Sequence, residues 1–297
     1  MKISRICLGT AQLGMDYGIN NLTGKPGVEE SRSIVRTAVE RGITAFDTAP
    51  AYGDSEEVLG RCLGEWPGEY VIVSKVPALD WRSAPESVAV EIRKRIEISL
   101  RNLGSPRLSI CLFHRFEDMY MRGRAALNAL ISVRNEGLVE KTGCSVYTPD
   151  EAESCLRLPA CEVIQVPFNL ADRRLLEAGF FRRAKASGKL IFVRSVYLQG
   201  LFFKPELPAG LADFGPFRAK LEALAVREGL SLAEMALRYV LSVDGIDSVI
   251  IGVETAAQLG KNLDLAERGR LPERLVADIN SLGTASGHTI DPRQWPR

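Results

Sequence analysis

The sequence predicts a single-domain α/β protein, a parallel (β/α)8 or TIM barrel, and three observations carry that prediction. Eight short apolar runs rich in β-branched residues are spread along 297 residues, amphipathic stretches alternate with them, and most runs end in one polar or reactive residue. Strands buried on both faces read as short unbroken apolar runs, and a parallel barrel gathers its chemistry at the C-terminal ends of such strands.

RICLG at 5–9 opens the series. It is followed by ITAFD at 43–47, YVIVSK at 70–75, LSICLFH at 108–114, KTGCS at 141–145, EVIQ at 162–165, LIFVRS at 190–195 and DSVIIG at 247–252. Between them, in 31–41, 85–103, 125–135 and 172–186, apolar residues recur three and four apart, the pattern of a helix that buries one face. The length suits one complete barrel with modest insertions, so no boundary is drawn within 1–297. The least regular stretch, 203–217, contains KPELPAG and GLADFGP, whose prolines and glycines break helix and strand alike. It follows the seventh strand and is expected as a loop over the catalytic face, either a mobile insertion or a lid. The tail 283–297 is polar and aperiodic, either disordered or packed on the barrel.

Composition excludes several classes. At 46% hydrophobic and 25% charged the chain can bury a large core, and 38 basic against 37 acidic residues create no broad field for nucleic acid or anionic membrane. No segment approaches the ~18 to 20 apolar residues of a membrane span, and the first residues lack the apolar core of a signal peptide, so a cytoplasmic protein is expected. Six cysteines (Cys7, Cys62, Cys111, Cys144, Cys155 and Cys161) form no C-x-x-C pair and three lie in strands, which suits reduced structural thiols. Two histidines, His114 and His288, stand without ligand spacing, and no metal centre is expected.

Barrel geometry would bring Asp47, Tyr52, Lys75 and His114 together at the ends of the second, third and fourth strands. A tyrosine hydroxyl, with a reference pKa of about 10, is a reluctant acid near neutral pH. A lysine ammonium beside it favours the phenolate and brings that value down, and a buried carboxylate keeps the lysine charged. A neutral imidazole donates a hydrogen bond to a substrate carbonyl. The set reads as a tuned proton donor beside a carbonyl. Taken singly, Asp47 also suits a helix N-cap, Tyr52 a packed surface aromatic and His114 a satisfied core residue. Lys75 at the end of a central strand must be paired or solvated.

The stretch FDTAPAYGDSEEVLG, from Phe46 to Gly60, resembles the signature of the aldo-keto reductase superfamily, and VSKVP and LFH supply its lysine and histidine. The similarity runs from LGTAQLG to VIIGVETAAQLGKN at Asn262, nearly the whole chain. The resemblance implies a catalytic tetrad of Tyr52 as general acid in carbonyl reduction, Lys75 and Asp47 tuning it, and His114 orienting the substrate. It also implies a nicotinamide cofactor as the hydride source. Ser145 and Gln165 match positions that hold the carboxamide, a group that needs a donor and an acceptor. Gly252, Thr255, Gln258 and Asn262 match the adenosine-phosphate loop, where backbone N–H groups at a helix start face an anion. Ser195, Leu198, Gly200 and Leu201 match the diphosphate segment.

Three positions depart from the family pattern. Val146 stands where many members have asparagine after the serine. Arg194 aligns with a stacking aromatic, with Tyr197 nearby to take that role. The last loop reads Gly252, Val253, Glu254 and Gln258 where members that select a 2′-phosphate often carry lysine, serine or arginine. Family habit still implies NADPH, with NADH as the alternative that Glu254 favours by accepting from a ribose hydroxyl.

Substrate specificity is expected from loops at 15–18, 78–81, 115–120 and 168–172, with Tyr17, Trp81, Phe116, Tyr120 and Phe168 among several charges. Such walls suit a small-molecule aldehyde, ketone or sugar carbonyl reduced to the alcohol. The rival from another class is a barrel that retains the cofactor site but works as a nicotinamide-sensing regulatory or scaffold protein.

Overall fold

In the computed structural model, eight strands close a parallel barrel in sequence order: β1 (Ile6–Gly9), β2 (Ala45–Asp47), β3 (Val71–Val76), β4 (Leu108–Phe113), β5 (Val139–Ser145), β6 (Val163–Pro167), β7 (Leu190–Arg194) and β8 (Ser248–Gly252). The structure describes residues 1–82 and 84–295, the side chains of Pro85 and Glu86 apart. Each strand falls within one or two residues of the run that predicts it. β1 closes the ring by pairing both β2 and β8, so that Gly9 stands opposite Asp47 on one side and Gly252 on the other.

The inside of the barrel is a separate apolar cluster of Cys7, Ala45, Val71, Val73, Ile110, Leu112, Val163, Phe192 and Ile250. The alternate strand residues, among them Leu8, Phe46, Ile72, Cys111, Ile164, Val193 and Ile251, face outward into the larger core shared with the helices. Both faces are therefore buried, which is why these strands show no polar alternation. Each buried valine, leucine, isoleucine or phenylalanine among them contributes about 1.5–3 kcal/mol.

Because strand side chains alternate with a period of two, the next inward position after each interior residue lies at the rim. That rule selects Asp47 after Ala45, Lys75 after Val73, His114 after Leu112, Gln165 after Val163, Arg194 after Phe192 and Gly252 after Ile250. It rejects Ser195, which falls out of phase in the left-handed region at φ 64°.

Two elements differ from expectation, and the tail settles between its two readings. The stretch 172–186 is not one helix: Gly179, at φ 67°, separates a single turn at Arg174–Glu177 from the helix Phe180–Ala186. Only a residue without a Cβ enters that conformation without strain, so the amphipathic pattern continues while the helix does not. The stretch 203–217 is not an open loop. It holds the last residue of one 3₁₀ segment (Leu198–Phe203), all of a second (Ala209–Phe214) and the start of the helix Gly215–Arg227, with Leu211 and Phe214 fully buried. The tail is what secures it: Ser286 Oγ donates to Asp213 at 2.7 Å and His288 Nε2 meets the Gly210 carbonyl at 2.6 Å. The tail itself packs on the barrel through the buried Ile290, the turn Gly287–Ile290 and a Trp295 indole donating to the Thr289 carbonyl. All six cysteines are buried and free. Among the described residues no helix is long and apolar enough to cross a membrane.

Candidate active site

The C-terminal ends of the strands open into a cavity of about 840 Å3. Asp47 and Tyr52 line it, with Arg194, Ser195, Tyr197, Gly200 and Phe203 from β7 and the segment after it, and Gly252, Glu254, Gln258, Lys261, Asn262 and Arg268 from β8 and the helix that follows. A second cavity of about 780 Å3, with Arg5 and Asp247 in its wall, lies at the opposite end of the barrel.

Lys75 is fully buried and donates 2.9 Å hydrogen bonds to both carboxylate oxygens of Asp47 and to the Thr48 carbonyl. Its ammonium also sits 4.8 Å from the centre of the Tyr52 ring, close enough for a cation–π attraction. The edge of His114 meets the same ring from another side, 5.7 Å between centroids and nearly perpendicular. The four residues named from sequence are thus assembled around one phenol. Among the described residues the Tyr52 hydroxyl has no protein hydrogen-bond partner, and the residue lines the cavity.

Burial raises the Tyr52 pKa well above that of a free phenol, the Asp47 charge raises it further, and the cation that opposes them is Arg194. Lys75, held by both oxygens of Asp47, meets the face of the ring rather than the hydroxyl's own hydrogen-bonding position. Tyr52 is therefore a firm phenol at neutral pH.

His114 is pushed down to about 3, by burial first and then by the charges of Lys75, Arg194 and Arg115. It is neutral throughout the physiological range, as carbonyl orientation by a donated hydrogen bond requires. The linkage has a definite sign. With the folded value depressed, its contribution to stability is present above the unfolded value of about 6.5 and is lost as pH falls toward 3, at up to ~1.4 kcal/mol per pH unit. We expect His114→Gln to flatten the fall of stability between pH 6.5 and 4 relative to the wild type in urea titrations, and parallel curves would refute the buried neutral imidazole.

Ser145 and Gln165 are brought together but turned to another use. Ser145 donates to Gln165 Oε1 at 3.2 Å, and Gln165 Nε2 donates to Asp47 at 2.7 Å, so both extend the Lys75–Asp47 network. One amide N–H of Gln165 and the lone pairs of Ser145 remain for a further partner. Leu198 and Leu201 are fully buried and shape the 3₁₀ segment from beneath. Gly200, at φ 90°, and Ser195 line the cavity.

The loop after β8 also differs from the expected amide cradle. The helix Ala256–Glu267 satisfies its own start: Thr255 Oγ accepts from Gln258 N, Glu30 accepts from Ala256 N at 2.7 Å and Gln258 Oε1 accepts from Glu254 N at 2.7 Å. Thr255 and the Gln258 carbonyl are thereby occupied as caps. The cavity is lined from this helix by Gln258, Lys261, Asn262, Asp264 and Leu265, with Arg268 just past its end; apart from Asp264 they are spaced three and four apart. Lys261 and Arg268 were not selected from sequence, although that spacing would have found them. Arg268 is paired with Glu234 at 2.8 Å, while among the described residues Lys261 has no carboxylate within 4 Å.

Tyr197 donates to Asn262 Oδ1 at 2.8 Å and packs on Phe203, which fixes it in the cavity wall. Of the loops expected to select substrate, only Tyr17 and Gly18 reach this cavity. Phe168 is core, packed on Phe181 and Tyr239. The loops at 78–81 and 115–120 are joined to each other through Asp118, which accepts from Leu79 N, the Trp81 indole and Arg115.

Residues 5–284 match the model of the aldo/keto reductase family. Aldo-keto reductase YhdN of Bacillus subtilis (strain 168) is 26% identical, over 87% of this chain and 84% of its own. Pyridoxine 4-dehydrogenase of Escherichia coli (strain K12) is 24% identical over 95% of this chain and 99% of its own. In three dimensions the holo form of aldo-keto reductase AKR11C1 from Bacillus halodurans superposes with a TM-score of 0.78 at 22% identity, covering 96% of this chain and 94% of that one. A family match over almost the entire length, on a closed barrel that gathers Asp47, Lys75 and His114 around the Tyr52 ring, makes this chain a member of the aldo/keto reductase family, an oxidoreductase by class.

Proposed function

We propose that the protein reduces an aldehyde, ketone or sugar carbonyl to the alcohol using NADPH, with Tyr52 as the proton donor. The observation that carries this is the Tyr52 hydroxyl, uncommitted to any described protein group, on a residue that lines the cavity with Lys75 and His114 against its ring. The residues present suit a dinucleotide. The cavity is lined by Tyr52 and by the cationic Lys261, and at Gly252 the wall has no room for a Cβ, which would lie 2.4 Å from Gln12 Oε1. Ser195, Gly200, Tyr197 and Asn262 would hold such a molecule and Lys261 its 2′-phosphate.

When bound, the nicotinamide supplies the hydride. The chain supplies the rest. Asp47 keeps Lys75 charged and in place beneath the phenol, His114 donates to the carbonyl oxygen and sets its position, and the Tyr52 O–H passes its proton to that oxygen as negative charge develops. A raised phenol pKa keeps the donor protonated at neutral pH, and positive charge nearby eases its departure.

Purified protein is expected to consume NADPH with a panel of reactive aldehydes. Tight nicotinamide binding without consumption of NADPH or NADH would support the regulatory barrel instead. For the choice between cofactors, Lys261→Met should raise the NADPH dissociation constant about tenfold and leave that for NADH within about twofold, as expected for one charge-assisted contact. Fluorescence titration reads both, and equal effects would remove Lys261 from the 2′-phosphate site.

A further inference from the structure

Arg194 is a cation without a counter-ion at the mouth of the barrel. By strand phase it points inward, two residues above Phe192, and it lines the cavity beside Tyr52. One face of its guanidinium stacks 4.1 Å above the Tyr147 ring, and its donors reach only neutral acceptors, the Val146 carbonyl at 2.9 Å and Ser195 Oγ at 3.3 Å. Among the described residues no carboxylate lies within 4 Å of it. Arginines nearby are supplied differently: Arg115 has Asp118 at 2.7 Å, Arg174 has Asp172 at 2.8 Å and Arg293 has Asp291 at 2.7 Å.

The position of Arg194 is also built from outside the barrel. Arg293, from the C-terminal tail, stacks on Tyr147 at 3.7 Å, so the ring carries both guanidinium groups. Arg293 is locked by two-pronged hydrogen bonds to Asp291. A half-buried guanidinium held in one pose, beside a proton donor and short of one negative charge, is an anion receptor whose anion comes from the ligand.

We propose that the carbonyl substrate bears an anionic group, a carboxylate or a phosphate, and that Arg194 binds it while the carbonyl lies at Tyr52. This rests on the reductase reading above. Tyr147 is a positioning residue in the same arrangement. A planar guanidinium matches the two oxygens of either anion, and Lys75 is already committed to Asp47 while Arg194 is not paired.

The test compares matched probes, 4-carboxybenzaldehyde against benzaldehyde and a phosphorylated short aldose against its unphosphorylated form, in wild type, Arg194→Met and Arg194→Lys. The expected wild-type preference for the charged member of at least one pair is about thirtyfold or more in kcat/KM. Arg194→Met should collapse that ratio to near unity and Arg194→Lys restore part of it, because a point charge replaces the fork. The pair that shows the effect identifies carboxylate or phosphate. A ratio near one in the wild type, or an equal loss on both members in Arg194→Met, overturns the inference while the reductase reading stands. Calorimetry with benzoate, which cannot be reduced, reads binding without turnover. Affinity at least tenfold weaker in Arg194→Met supports the anion site even for a protein that reduces nothing, and equal affinity together with no preference for the phosphorylated aldose overturns it.

Discussion

Replacing Tyr52 by phenylalanine is expected to lower turnover by about two to four orders of magnitude, the range of a lost general acid, with the NADPH dissociation constant changed by less than about twofold. The substitution removes one oxygen and keeps the ring. The ring is what contacts Lys75 and His114, so the packing of the site survives. The oxygen makes no hydrogen bond to the described protein, so its loss leaves no buried group unsatisfied and the fold is unaffected. Single-turnover measurements at saturating NADPH separate the chemical step from binding. A variant with a rate within tenfold of the wild type would rule out Tyr52 as the acid.

Lys75→Met should have the largest effect on stability and a second large effect on turnover. It removes the ammonium that both oxygens of Asp47 accept from and leaves that carboxylate, 6% exposed, with Gln165 as its remaining side-chain donor. Breaking a buried pair from one side costs roughly 3–5 kcal/mol, since the surviving charge keeps its desolvation penalty without the attraction that offset it. For a chain of this size that is a fall in Tm of about 10 °C. Asp47→Asn with Lys75→Met should lose markedly less than the single substitution, because no charge then stays stranded. Calorimetric unfolding of the three proteins decides it. A double variant no more stable than Lys75→Met would mean that the pair is not what holds this end of the barrel. Residual turnover in the single variant should be small, with its pH profile displaced, since the cation under the phenol is gone.

Much of the barrel is legible in sequence because its constraints are local and periodic. Buried strands require apolar β-branched runs, covering helices require stripes three and four apart, and each leaves its mark within about ten residues. Asp47, Tyr52, Lys75 and His114 were legible for the same reason, as polar residues at the ends of apolar runs inside a specific motif. Gly179 breaks that logic. It interrupts a helix whose amphipathic pattern continues across it, so only the backbone conformation reveals the two pieces.

The barrel, the order of its strands, the family and the four residues around the phenol can all be read from the residues in order. Which polar side chains those residues serve is set only when the chain closes on itself. Strand phase turned Arg194 inward and Ser195 out of line; barrel closure set Gln165 against Asp47, 118 positions away; and the packed tail placed Arg293 on the ring that carries Arg194. Glu30 and Thr255 took the helix amides that the motif had promised to a phosphate, and left Lys261 facing the cavity. The physical reason is that a hydrogen bond or ion pair in a buried site is awarded to whichever partner the closed chain brings within about 3 Å, and that competition involves residues with no relation in sequence.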